Sequence, residues 1–120
     1  ENISDILSSG SFDLCLYSNV TSSTGDPLSY LNNAMRSNGE LNYGNYSNLE
    51  VDMLLDKMQL EFDIQERNAL AEEIVQKVLE DDGYNFIAHL KVSFLMKNNV
   101  VGFNAHPTDY YQFNKDTYIQ

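Results

Sequence analysis

Apolar and polar positions along the chain lay out a helix, an apolar run, three further helices and then several short apolar runs. Ile3, Ile6 and Leu7 share one helical face over residues 2–9, and Gly10 ends that segment. Residues 12–18 are largely apolar on both faces, which predicts an interior strand flanked by helices. Small and polar residues follow up to Asp26 and predict an exposed loop. A helix over 26–37 comes next, with Asp26 as its cap, Pro27 in its first turn, and Leu28, Leu31, Ala34 and Met35 on one side. Asn38-Gly39 stops it, and residues 39–47, rich in Asn, Tyr and Gly, predict a loop.

Val51, Leu54, Leu55 and Met58 recur at i, i+3, i+4 and i+7, so residues 49–60 predict a third helix. A fourth runs from an Asp63 cap to about Asp81, turning Leu70, Ile74, Val75 and Val78 inward. Glu66, three residues after Asp63, predicts the reciprocal half of a capping box. Asp82-Gly83 then turns the chain into apolar runs at 84–90, 92–96 and 100–103. Residues 104–120 carry Tyr110, Tyr111, Phe113 and Tyr118 without a period and predict an aromatic tail lying across another part of the protein. Strands before and after a block of helices indicate an α/β class, with the sheet completed by residues outside this chain.

Composition narrows the function classes. A net charge of −11 disfavours nucleic acid and anionic membranes as partners. Eleven of the eighteen acids fall between Glu50 and Asp82, so the excess sits on the wet faces of two helices. The single cysteine, Cys15, lies within the first apolar run and reads as a small buried hydrophobe. No run is long enough to span a membrane. The chain begins in polar sequence without Met, as a piece cut from a longer protein would.

Candidate chemistry is sparse. The chain has no Gly-x-Ser-x-Gly elbow, no His-Glu-x-x-His and no phosphate-cradling glycine loop, so nothing points to an enzyme. His89 interrupts the apolar run 84–90 and is either a core residue or a neutral imidazole offered to a transition metal. The hydroxyl- and amide-rich loop after Tyr17, held between two regular elements, is where ligand contacts would be placed. The tyrosines of the 39–47 loop can line a polar cleft or lie on the core.

Several motifs in order carry a family resemblance. They are Phe-Asp-Leu-x-Leu-Tyr at Phe12, a polar loop ending in Asp-Pro-x-x-Tyr-Leu, and Asn-Tyr-Gly-Asn-Tyr-Ser-Asn-x-Glu-Val-Asp-x-Leu-Leu at Asn42. Glu-Arg-x-x-Leu-x-x-Glu-Ile at Glu66, Tyr-x-Phe-Ile-x-His at Tyr84 and Val-x-Gly-Phe at Val100 complete the set. Together they resemble the C-terminal portion of the family 5 extracytoplasmic solute-binding proteins, the peptide and nickel receptors of bacterial ABC importers. The resemblance implies part of a type II periplasmic-binding-protein-like lobe within a two-lobed receptor that closes around its ligand. Residues 1–18 would be a helix end and hinge-crossing strand, 19–103 part of one lobe, and 104–120 a C-terminal tail.

The resemblance also separates sub-classes. Peptide receptors of this family resemble Gly-Trp at Ser18-Asn19 and carry, at the position of Ser23, an Asp that captures the peptide amine. This chain has neither. Its neutral loop implies a ligand whose charge is already balanced, such as a nickel ion chelated by small amino-acid-like molecules. The implied ligand contacts are Tyr17, Asn19, Thr21, Ser22, Ser23 and Thr24, with Arg36 clamping a chelator carboxylate or forming a surface ion pair, and with His89 as the metal ligand. An ABC permease, an extracytoplasmic location and a lipid anchor outside this chain are implied partners and setting. The alternatives are an oligopeptide receptor on the same scaffold, and an interaction domain using the tail from Tyr110.

Overall fold

The computed structural model describes residues 2–21, 25–90, 93–105 and 115–120. They form a small helical domain with one two-stranded sheet. The elements are α1 (Ile3–Ser9), α2 (Leu28–Met35), α3 (Leu49–Leu60), α4 (Ile64–Glu80), β1 (Val100–Val101) and β2 (Tyr118–Ile119).

Local chemistry explains where each helix starts and stops. Asn2 Oδ1 accepts from the Ser4 amide to open α1, and Gly10 closes it in the left-handed region, donating its N–H to Leu7. Asp26 Oδ1 accepts from the Leu28 amide at 2.8 Å, so the expected cap forms one residue ahead of Pro27. Asn48 Oδ1 caps α3 through the amides of Glu50 and Val51, and Asp63 Oδ1 caps α4 through those of Gln65 and Glu66. The capping box is not the expected one. The Asp63 amide donates to Glu61 Oε1 at 2.9 Å, because that carboxylate already lies beside the Phe62 amide at 2.8 Å.

The C-terminus of α4 is a Schellman turn with a displaced glycine. Gly83 N donates to Val78 O at 2.9 Å and Asp82 N to Leu79 O at 3.2 Å. The left-handed residue is Asp82, at φ 54°. Glycine stands one place later because a Cβ at Gly83 would lie 2.5 Å from the Tyr46 ring.

Three helices make the core. Leu31, Ala34 and Met35 from α2 meet Val51, Leu55 and Met58 from α3 and Leu70, Ile74 and Val78 from α4, all buried. The link between α3 and α4 is only three residues long, which folds α4 back along α3. Arg67 fastens that link. Its Nη1 donates to the Met58 and Glu61 carbonyls at the end of α3, and its Nη2 pairs with Asp26 ahead of α2. The apolar spacing predicted this core, with Leu54 and Val75 at its partly buried edge.

The strand expectations fare differently. Residues 12–18 and 84–90 run without a ladder among the described residues, as do 93–96 of the expected 92–96 strand. Leu14 is 91 % exposed and Leu95 fully so, which is incompatible with interior strands as these residues stand. A strand needs a hydrogen-bonded neighbour, and the described residues supply one only to Val100-Val101. That neighbour is Tyr118-Ile119, antiparallel, with Val100 opposite Ile119 and Val101 opposite Tyr118. So part of the aromatic tail does return onto the chain; Tyr110, Tyr111 and Phe113 lie outside the described residues. Cys15, expected to be buried, is only partly so.

Candidate functional site

The conspicuous Asn-Tyr-Gly-Asn-Tyr-Ser-Asn segment is first of all a structural knot. Asn42 is the buried polar residue at its centre. Its Nδ2 donates to the carbonyls of Tyr46 at 2.7 Å, Arg36 at 3.0 Å and Ser37 at 3.4 Å, and its Oδ1 accepts from the Tyr46 amide at 2.9 Å. The side chain thereby closes the loop between α2 and α3 on itself. Ser37 is tied to the same place, its amide and hydroxyl both donating to the Asp52 carboxylate on α3.

Asp81, at the end of α4, joins the loop to the third helix. Its Oδ2 accepts from the Tyr46 hydroxyl at 2.7 Å and from Asn48 Nδ2 at 2.6 Å. Those two donors hold the Asp81 carboxyl below the usual aspartate range. Desolvation and the same hydrogen bond push Tyr46 up to about 12. The signs give a definite pH dependence. A carboxyl whose pKa is depressed by folding stabilises the fold above its unfolded pKa, and that contribution is lost as pH falls through the folded one. In an Asp81→Asn variant the urea midpoint is therefore expected to fall less steeply than wild type as pH drops below about 4, the ordinary aspartate value. Parallel acid limbs for the two proteins would show that Asp81 contributes no such linkage.

Four tyrosines from separate parts of the chain gather beside this knot. Tyr17 lies edge-on to Tyr43, with ring centres 5.9 Å apart. Tyr17 and Tyr84 also sense Tyr30 on α2. Burial first, then the neighbouring phenols, raise Tyr17 and carry Tyr84 up to about 12; burial alone raises Tyr30. Tyr84 donates its hydroxyl to the Ala34 carbonyl at 2.7 Å and stacks on Phe86, which fixes the start of the 84–90 run against α2. At neutral pH these groups are phenols, not phenolates, so the cluster offers ring faces and uncharged O–H groups.

The expected ligand residues divide around this cluster. Tyr17 belongs to it. Asn19 Oδ1 accepts from the Val20 amide at 2.8 Å, so it shapes the start of the loop. Thr21 is exposed. Ser22, Ser23 and Thr24 lie outside the described residues.

Arg36 forms the surface ion pair: Nη2 meets Asp56 Oδ1 at 2.6 Å and Nε meets Asn32 at 2.7 Å, joining α2 to α3. A clamp on a chelator carboxylate would compete with that pair. His89 is exposed in the unladdered run, and among the described residues no three metal-ligating side chains converge. Tyr30 and Tyr84 were not among the expected contacts. They are 54 residues apart in sequence, and no spacing rule joins them.

Among the described residues no helix is long and apolar enough to cross a membrane. No protein-family model matches the chain, and no solved structure matches it. The chain is 26% identical over 109 residues, 91% of its length, to the nickel-binding protein NikA of Staphylococcus aureus (strain NCTC 8325 / PS 47). It spans 22% of that relative's length.

Proposed function

We propose that these residues are part of a nickel-binding receptor. The carrying observation is the similarity to a nickel-binding protein across nearly the whole chain. In this reading the protein binds and does not catalyse. It captures nickel outside the cell membrane as a chelate with small amino-acid-like ligands and hands it to an ABC permease. The lobe is of the periplasmic-binding-protein type, with the 12–18, 84–90 and 92–96 runs as strands of a larger sheet.

Two features favour a chelate over the bare ion. The Tyr17 cluster presents neutral phenols, which hydrogen-bond to a coordinated ligand better than they bind a divalent metal at neutral pH. The polar loop carries Thr21, Ser22, Ser23 and Thr24, all uncharged. An ion with its charge already matched by a chelator suits such a wall. His89 would complete the metal's coordination from the same lobe as that loop.

Calorimetry on the full-length receptor tests this, with nickel alone and with nickel plus histidine. Saturable heat is expected with the mixture and less with the metal alone. In this reading the second cleft wall lies in the other lobe, so the 120 residues alone give no detectable heat. Tight peptide binding with no heat from either nickel titration would overturn the proposal in favour of an oligopeptide receptor.

A further inference from the structure

Helix α4 carries two apolar stripes: one is fully buried in the core, and the other only edges it through Ala71 and Val75. Leu70, Ile74 and Val78 face α2 and α3. Ala71, Val75 and Leu79 form a second row at strict four-residue spacing, partly buried to 44 % exposed, against Pro27 and the edge of Leu31. The result is an open groove of about 660 Å³ running along α4, with apolar walls.

The groove has a charged outer rim. Glu72, Gln76 and Glu80 follow its length at the same four-residue spacing. Gln76 Nε2 donates to Glu80 Oε1 at 2.9 Å. None of the three ion pairs among the described residues uses Glu72 or Glu80. Eight residues of helix separate the two carboxylates by roughly 12 Å along the axis.

We propose that this groove is a docking site for a cationic amphipathic helix of a partner protein. Charge complementarity selects that occupant. A helix laid in the groove meets Val75 and Leu79 with its own apolar row and needs Lys or Arg two turns apart to match Glu72 and Glu80. The acidic rim repels an anionic lipid surface. A second copy of this chain, at net charge −11, brings further acid to the same place. The site is separate from the tyrosine cluster and does not depend on the nickel reading.

The probe is a synthetic alanine-based helix with leucine at three successive fourth positions and lysine beside the first and third. Fluorescence anisotropy with the whole chain is expected to show saturable one-to-one binding that weakens as salt is raised. Leu79→Lys should weaken it at least about tenfold, a loss of roughly 1.4 kcal/mol. The pair Glu72→Lys with Glu80→Lys should do the same. Two controls should stay within about threefold, less than 1 kcal/mol. Asp13→Lys with Glu40→Lys makes the same change in net charge elsewhere, and Met53→Lys alters the exposed face of α3. Leu79 is half-exposed, so an unchanged circular-dichroism melt for Leu79→Lys excludes unfolding as the cause. Absent binding, equal losses in groove variants and controls, or a dimer by sedimentation that Leu79→Lys dissolves, would each overturn the proposal.

Discussion

Asn42→Ala is expected to destabilise the helical domain by about 2–3 kcal/mol in urea denaturation, although it removes one small polar side chain. The reason lies in what would be left behind. The Tyr46 amide would lose its acceptor and the Tyr46 and Arg36 carbonyls a donor, all in a setting that buries Asn42 itself. Buried donors without partners cost more than the average made hydrogen bond contributes. The loop also carries Ser37, which holds Asp52 of α3, so loosening at Asn42 spreads to the α2–α3 junction.

Asn42→Asp separates hydrogen bonding from packing, because the two side chains have nearly the same shape. The carboxylate keeps an acceptor for the Tyr46 amide but points its second oxygen at three carbonyls. It should therefore be worse than Asn42→Ala at neutral pH. Its folded pKa would be raised above the unfolded value of about 4, so the protonated carboxyl, again a donor, is the form the fold tolerates. The gap to wild type should narrow as pH falls toward that value. Equal stability of Asn42→Asp and wild type at neutral pH would sink the account of Asn42 as a donor.

How far the chain could be read in advance differs between its two halves, for physical reasons. Helices α3 and α4 are specified locally. Their apolar residues recur at helical spacing, Asn48 and Asp63 cap them, and the predicted ranges match to within a residue. The apolar runs at 12–18, 84–90 and 93–96 have the composition of strands, but a strand is a relation between two segments. No pattern within a run names its partner, and the described residues give these runs none. The sites show the same contrast. The Asn42 motif was visible as a motif, but its role as a knot needed the loop closed in space. Tyr17 was expected at the site, whereas Tyr30 and Tyr84 reach it only through the packing of α2. Arg36 had two readings, and its geometry favours the ion pair with Asp56.

The two kinds of apolar residue should respond to mutation by very different amounts. Leu55 is fully buried between α2 and α4, so Leu55→Ala deletes packed methyl groups and leaves a cavity. It is expected to cost about 2–5 kcal/mol, a large part of a small domain's stability. Leu16 is 76 % exposed, so in the 120-residue chain Leu16→Ser should change stability by no more than about 0.5 kcal/mol. The proposed receptor makes a second demand on Leu16. If the 12–18 run is a strand of a larger sheet there, Leu16 is covered, and Leu16→Ser should cost the full-length protein about 2 kcal/mol. Paired urea titrations of both variants in both proteins separate these cases. A neutral Leu16→Ser in the full-length protein would remove the sheet from the proposal, while the three-helix core would stand on the Leu55 result alone.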